Sequence, residues 1–185
     1  MTAQINEPQL RAAFETMRNA GQRGRELAAL LHKRGTRARI SARVSGGFTL
    51  NFINTIFLQP PRENANESEF RRWVTLLAHE ACHIEQGFWV DSVQQEIIAY
   101  QTQCRVAREL EIDLGTLHDA FEKLNPALAS DQRAAQFALT SIFYGAPAAV
   151  VYACLPLAQP RGARALWPGL RQSFAVLRAA RMTRP

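Results

Sequence analysis

The sequence contains few of the residues that mark a secreted, disulfide-bonded protein. Its 185 residues include only three cysteines, which are Cys82, Cys104 and Cys154. An odd number of widely separated cysteines argues against a disulfide framework and predicts a reducing, cytoplasmic compartment. The first ten residues are polar and lack the charged and apolar regions of a secretory signal. The length favours a single domain over residues 1–185, large enough to bury a hydrophobic core.

Acidic residues are absent from the last part of the chain. Residues 133–185 contain seven arginines and no aspartate or glutamate, whereas residues 1–132 carry nearly balanced charge. This basic tail has few interleaved aromatic residues, so its pattern does not favour binding to nucleic acid. We predict an apolar and basic helical region over about 130–185.

A long uncharged stretch raises the question of membrane association. Residues 137–158 are mostly apolar and are long enough to span a bilayer. Gly145, Pro147 and Pro156 interrupt the stretch, so two buried helices are the favoured interpretation. Ser130 is expected to cap the first of these helices, and the second would follow Pro147. Membrane association through 137–158 is the alternative, in which the arginines of the tail would face anionic lipid.

Residues 70–87 carry the strongest functional signal in the sequence. They contain His79, Glu80 and His83 in the spacing H-E-x-x-H. Residues four apart on a helix share a face, so two imidazoles at this spacing can hold one metal ion. The glutamate beside the first histidine then remains available as a general base. The spacing therefore predicts His79 and His83 as metal ligands and Glu80 as the catalytic base.

The same stretch has the periodicity of an amphipathic helix. Asn66 and Glu69 have the spacing of a capping box at its start, and Gly87 marks its end. Six apolar residues recur at helical spacing and form one stripe, with the two histidines on the opposite side. These six are Phe70, Trp73, Val74, Leu77, Ala81 and Ile84.

A third metal ligand is predicted on the next helix, because zinc requires more than two protein ligands. Asp91 marks the start of this helix, which extends over about 92–111. A short loop makes consecutive helices antiparallel neighbours, and this arrangement brings Glu96 towards His79 and His83. The apolar face of the helix is expected to comprise Val93, Ile97, Tyr100, Cys104 and Ala107.

Residues 36–58 have the character of β-structure. Residues 37–44 alternate between polar and apolar, residues 45–47 suit a tight turn, and residues 48–58 are rich in β-branched and aromatic residues. The pattern predicts a β-hairpin. The strand over 48–58 either binds an extended peptide substrate along an exposed edge or simply completes the core.

Two further side chains are candidates for stabilising the oxyanion of a hydrolytic reaction. His118 lies in a short predicted helix over 116–124 and can donate a hydrogen bond. Tyr100, one turn after Glu96, competes for the same role, although it also fits the apolar face of its helix. A lone helical histidine is more often a surface residue, so the role of His118 depends on geometry.

Two motifs together resemble a known family. The H-E-x-x-H of residues 79–83, followed by Glu96-Ile97-Ile98-Ala99, is similar to the gluzincin branch of zinc metallopeptidases. It is most similar to the small bacterial minimal metallopeptidases of the ImmA/IrrE type. The resemblance covers about residues 40–110, and it implies one zinc ion bound by His79, His83 and Glu96, with Glu80 as the catalytic acid and base. Cys82 stands before His83, where such proteins usually have glycine or alanine.

We therefore predict a mainly helical α+β protein whose catalytic core spans about 36–112. A small β-hairpin or sheet would pack on the H-E-x-x-H helix and on the following helix that bears Glu96. The expected function is zinc-dependent hydrolysis of peptide bonds. The alternative is a non-catalytic, zinc-binding regulatory protein with the same fold.

Overall fold

The structure is a computed structural model that describes residues 3–44, 46–87, 91–143 and 147–160. Four short strands are β1 (Gln4–Ile5), β2 (Arg37–Ile40), β3 (Gly47–Leu50) and β4 (Thr55–Leu58), with a 3-10 turn at Asn51–Ile53. The helices are α1 (Pro8–Ala20), α2 (Gln22–Arg34), α3 (Glu67–Gln86), α4 (Val93–Glu109), α5 (Thr116–Glu122), α6 (Ala129–Ile142) and α7 (Pro147–Cys154). The predicted mainly helical α+β class is confirmed.

The chain forms two compact units, of which the first comprises residues 1–88 and 99–122. Its hydrophobic core is built by α1, α2, α3, the end of α4 and the sheet. Helices α1 and α2 each bury one apolar face, as the helical periodicity of residues 9–33 indicates. The largest fully buried side chains of this core are Leu10, Met17, Leu27, Leu31, Ile56, Leu58, Leu77, Ile84 and Val74.

Helix α3 has the ends and the buried face that its sequence predicts. The Asn66 side chain accepts a hydrogen bond from the Glu69 N–H at 2.9 Å, and the Glu69 carboxylate accepts one from the Asn66 N–H at 3.0 Å. Gly87 ends the helix in the left-handed conformation, with φ at 68°. The predicted stripe is buried from Trp73 to Ile84, and Phe70 packs partly buried against the core.

The sheet differs from the predicted hairpin. Its strand order is β1-β2-β4-β3, so the predicted strand over 48–58 forms two strands, β3 and β4, and β4 lies between β2 and β3. Strand β2 pairs with β4 in parallel, and β3 forms the antiparallel hairpin with β4. Asn54 explains the difference, because it breaks the run over 48–58 at a φ of 50°. Its side chain donates to the Arg34 carbonyl and accepts from the Thr36 hydroxyl, which places the start of β4 beside β2.

Helices α3 and α4 run antiparallel, as the sequence predicts. The Arg71 guanidinium donates to the Leu110 carbonyl at 3.2 Å, and the Thr102 hydroxyl donates to the Cys82 sulfur at 3.4 Å. Residues near the start of α3 therefore contact residues near the end of α4, which is the antiparallel arrangement. The predicted apolar face of α4 is buried in full, at Val93, Ile97, Tyr100, Cys104 and Ala107.

The second unit comprises residues 89–98 and 123–185. Within it, α6 begins at Ala129 with Leu128 at the N-cap, so the predicted cap at Ser130 is wrong. A turn around Asn125 sets the earlier start, because the Asn125 N–H donates to the Asp131 carboxylate at 2.7 Å. The Gln136 side-chain amide donates to the Leu155 carbonyl at 3.0 Å and ties α6 to the end of α7.

The uncharged stretch 137–158 does not form one continuous helix. Helix α6 ends at Ile142, and α7 begins at Pro147 and is only eight residues long. In the parts of the chain that the structure describes, no helix combines the length and the apolarity needed to cross a membrane. The basic part of the predicted C-terminal helical region, residues 161–185, lies outside the described residues.

The start of α2 is capped by a side chain that is distant in sequence. No side chain caps the helix from its own N-cap position at Gly21. Instead, the Glu109 carboxylate accepts hydrogen bonds from the N–H groups of Arg23 and Gly24, at 2.8 and 2.9 Å. A Cβ on Gly21 would lie 2.4 Å from the Glu109 carboxyl carbon, so glycine leaves room for this contact. An anion suits a helix N-terminus, where N–H groups lack partners within the helix.

We expect Glu109→Ala to lower the free energy of unfolding by about 1–2 kcal/mol, as the loss of an N-cap does. Chemical denaturation measures this change. The matched control is Glu63→Ala at an exposed position, which should change stability by less than about 0.5 kcal/mol. Equal effects of the two substitutions would show that Glu109 does not cap α2.

Candidate metal centre

His79 and His83 lie one turn apart on α3 and present their rings to each other. Their Nε2 atoms are 3.3 Å apart, and the ring centroids are separated by 5.1 Å. Both side chains are buried, with exposed fractions of 6% and 5%. The predicted pair is therefore a buried pair of imidazoles whose Nε2 atoms lie close together.

The first turn of α4 carries Glu96, and Ser92 caps that turn. The Ser92 hydroxyl accepts a hydrogen bond from the Gln95 N–H at 3.3 Å, and the Ser92 carbonyl accepts one from the Glu96 N–H at 3.0 Å. The cap is thus one residue later than the predicted Asp91. The helix begins at Val93 because Ser92 occupies the N-cap position.

Backbone carbonyls from the segment after α7 satisfy the remaining donors of this turn. The Val93 N–H donates to the Pro156 carbonyl, and the Gln94 N–H donates to the Leu157 carbonyl, both at 2.9 Å. The first N–H groups of a helix have no partner within it, so these two bonds replace water at the start of α4. Together with the Ser92 cap on the Gln95 N–H, these bonds hold three consecutive N–H groups of the turn that carries Glu96.

The structure brings the three predicted ligands together. One side-chain atom each from His79, His83 and Glu96 lies within 4.8 Å of the others, and all three residues are buried. In a tetrahedral zinc site with Zn–N distances of about 2.0–2.1 Å, two ligand nitrogens lie about 3.3–3.4 Å apart. The 3.3 Å between the two Nε2 atoms fits that spacing. Two imidazoles and one carboxylate also match the donor set of catalytic zinc sites, so the residues fit a zinc ion.

Glu80, the predicted base, points towards strand β3. Its carboxylate Oε2 accepts a hydrogen bond from the Thr49 hydroxyl at 2.7 Å, and the side chain is only 4% exposed. Gly47 lies against the same carboxylate, since a Cβ there would be 2.4 Å from Oε1. Neither Thr49 nor Gly47 is predicted as a site residue from the sequence. Strand alternation places both on one side of β3, but no local pattern identifies the helix that this side meets.

Tyr100 and His118 form a chain of rings beside His79. The Tyr100 ring meets His79 edge-on at a centroid distance of 4.7 Å, and His118 at 5.5 Å. It also stacks on Phe121 at 4.4 Å. Tyr100 thus contacts a predicted metal ligand directly, and His118 contacts Tyr100. The predicted roles of Tyr100 and His118 in oxyanion stabilisation stay predictions.

Cys82, next to the second histidine, is fully buried. Burial raises the pKa of its thiol to about 11, and the nearby Thr102 hydroxyl offsets only part of this effect. A thiol with this pKa is protonated at neutral pH, whereas the thiolate is the form that binds metals and attacks electrophiles. The Cys82 sulfur contacts the Thr102 hydroxyl on α4 at 3.4 Å, and Cys82 is not part of the ligand group formed by His79, His83 and Glu96.

Comparisons with protein-family models, curated proteins and solved structures give no match to this chain. The resemblance to gluzincins thus rests on the motif residues and on the geometry described above.

We expect the zinc-loaded protein to retain about one ion per chain after dialysis, because the structure offers one three-residue ligand group among its described residues. His83→Ala removes one of the three ligands and should abolish retention. The control is His32→Ala at an exposed position, which should retain zinc like the parent. Elemental analysis measures all three proteins, and unchanged zinc in His83→Ala would contradict the ligand assignment.

The stability of the protein should depend on the protonation of His118. Burial is the largest cause that lowers the pKa of His118 below its usual value of 6.5. The unfolded chain therefore binds this proton more readily than the folded chain, and the free energy of unfolding should fall as the pH drops below about 6.5. His118→Gln should weaken this dependence. Denaturation series between about pH 5 and 8 provide the measurement. An unaltered pH dependence in His118→Gln would contradict this attribution.

Proposed function

We propose that this protein is a zinc-dependent metallopeptidase that hydrolyses peptide bonds. The observation that carries the proposal is the buried grouping of His79, His83 and Glu96, whose ligand atoms lie within 4.8 Å of one another. Glu80 stands beside these ligands in the H-E-x-x-H motif, where the base of a metallopeptidase is expected. The resemblance to gluzincins supports the same activity.

The ligand residues and Glu80 have separate tasks in this proposal. His79, His83 and Glu96 would hold zinc, which supplies a Lewis acid that polarises the scissile carbonyl and makes water a stronger acid. Glu80 accepts a proton from the attacking water and then delivers it to the leaving amine, so one carboxylate serves as base and as acid. Because Glu80 is buried, bulk water competes little for its carboxylate.

Tyr100 assists by fixing the orientation of a ligand. Its ring packs edge-on against the His79 imidazole, and it stacks on the Phe121 ring. A metal-binding imidazole must hold one ring orientation, and neighbouring groups commonly provide that constraint. Tyr100 and His118 are also the two candidates for donating a hydrogen bond to the oxyanion. The His118 ring lies beside the Tyr100 ring, at a centroid distance of 5.5 Å.

Strand β3 is the part of the predicted 48–58 strand that can receive a peptide. Strand β4 lies inside the sheet, whereas β3 is at its edge among the described residues. The Gln59 N–H donates to the Gly46 carbonyl at 2.7 Å, which makes Gly47 and Leu58 a non-hydrogen-bonded pair. The backbone polar groups of Gly47 and Thr49 consequently point away from β4. We propose that an extended peptide adds to this edge by β-augmentation.

Substitution of Glu80 separates catalysis from metal binding. Glu80→Gln keeps the shape of the side chain but cannot accept the proton, so zinc content should be unchanged. Turnover should fall by about 10²–10⁴-fold, the usual contribution of a general base. Glu96→Gln should lose zinc and turnover together, because a neutral amide is a poor zinc ligand. Glu67→Gln, on the exposed part of α3, is the matched control and should behave like the parent.

The assay uses a randomised library of internally quenched peptides, with mass spectrometry of the chain itself to detect self-cleavage. Parental turnover in the Glu80→Gln variant would contradict the mechanism even with zinc bound. A zinc-loaded parent that cleaves neither peptides nor itself would favour the non-catalytic, zinc-binding alternative.

A further inference from the structure

Strand β3 contacts the Glu80 carboxylate from outside helix α3. The Thr49 hydroxyl lies 2.7 Å from carboxylate Oε2 and 3.2 Å from the backbone carbonyl oxygen of Glu80. The 2.7 Å distance is that of a charge-assisted hydrogen bond, and both residues are buried, Thr49 at 9% exposure. Thr49 and Glu80 are 31 positions apart in sequence.

The backbone of Gly47 lies against the same carboxylate, and the Glu80 side chain occupies the space that a side chain at position 47 would need. A Cβ at this position would lie 2.4 Å from Oε1, 2.6 Å from Cγ and 2.7 Å from Cδ of Glu80. The conformation of Gly47 itself does not require glycine, since its φ lies outside the left-handed region. The need for glycine here is therefore steric, and the group that occupies the space is the Glu80 side chain.

The two contacts act on opposite oxygens of one carboxylate. Residues two apart on a strand face the same side, so Gly47 and Thr49 both meet α3. Thr49 binds Oε2, and the Gly47 backbone closes the space beside Oε1. A glutamate side chain has three rotatable bonds, and this pair of contacts restricts their rotation.

We propose that strand β3 positions the catalytic base, with Thr49 and Gly47 as positioning residues that fix the carboxylate of Glu80. This inference rests on the proposed peptidase function for its catalytic consequence. The same two residues direct their backbone polar groups to the edge of β3 that no described strand pairs with. The face of β3 that meets α3 therefore positions the base, and the edge of the same strand offers backbone groups to the substrate.

A double-mutant cycle tests the positioning without any substrate. Gly47→Ala should lower the urea midpoint of unfolding, and this loss should shrink to less than half in a Glu80→Ala background, where the clash is absent. Thr49→Val should show the same dependence on Glu80. The matched control is Thr55→Val, whose hydroxyl donates to the Ile53 carbonyl instead, and its loss should add to that of Glu80→Ala. Additive losses for Gly47→Ala and Thr49→Val would overturn the proposal.

Turnover of the quenched-peptide library tests the catalytic consequence. Thr49→Val should lower kcat by about 10–100-fold with KM within about twofold of the parent, because the base is misplaced while the substrate edge persists. Thr49→Ser should restore turnover, Thr55→Val should match the parent, and zinc content should stay constant in all three. Parental kcat in Thr49→Val, or equal losses in Thr49→Val and Thr55→Val, would overturn the role of Thr49. If the parent hydrolyses nothing, the proposed function fails, and the stability cycle alone decides whether β3 fixes Glu80.

Discussion

The burial of polar side chains on helix α3 is the constraint on which the surrounding structure depends. One face of the helix packs into the hydrophobic core, while His79, Glu80 and His83 on the other side are each no more than 6% exposed. Buried imidazoles and carboxylates are costly unless other groups or a metal ion compensate them. The neighbouring elements meet this requirement from two directions. Helix α4 brings Glu96 to the histidines, and strand β3 brings the Thr49 hydroxyl to Glu80.

Helix ends hold these elements in place. The capping box at Asn66 and the left-handed Gly87 set the two ends of α3. The Ser92 cap sets the start of α4, and Glu96 lies in the first turn of that helix. Glu109, at the other end of α4, closes the start of α2. A ligand group must be fixed closely to bind a metal in one geometry, and the supporting contacts come from rigid backbone. The site is thus built from helix termini and one strand edge rather than from long loops.

Local pattern explains which features were predictable. The ends and stripe of α3, the buried face of α4 and the approach of Glu96 follow from periodicity, capping residues and the antiparallel pairing of consecutive helices. The strand order did not follow, because the side chain of Asn54 ties the start of β4 to the end of α2. The Glu109 cap and the Thr49 contact are also long-range, at 86 and 31 positions. Such contacts depend on how whole elements pack, which the spacing of residues in one segment does not encode.

The central claim is that His79, His83 and Glu96 hold one zinc ion. X-ray absorption spectroscopy of the zinc-loaded protein measures the ligand atoms and their distances directly. The account predicts two imidazole nitrogens at about 2.0–2.1 Å, a carboxylate oxygen at about 2.0–2.2 Å and no sulfur. The dialysed Glu96→Gln and His83→Ala variants should give no zinc spectrum of this site, because each lacks one of the three ligands. A sulfur ligand at about 2.3 Å, or a spectrum unchanged by both substitutions, would contradict it.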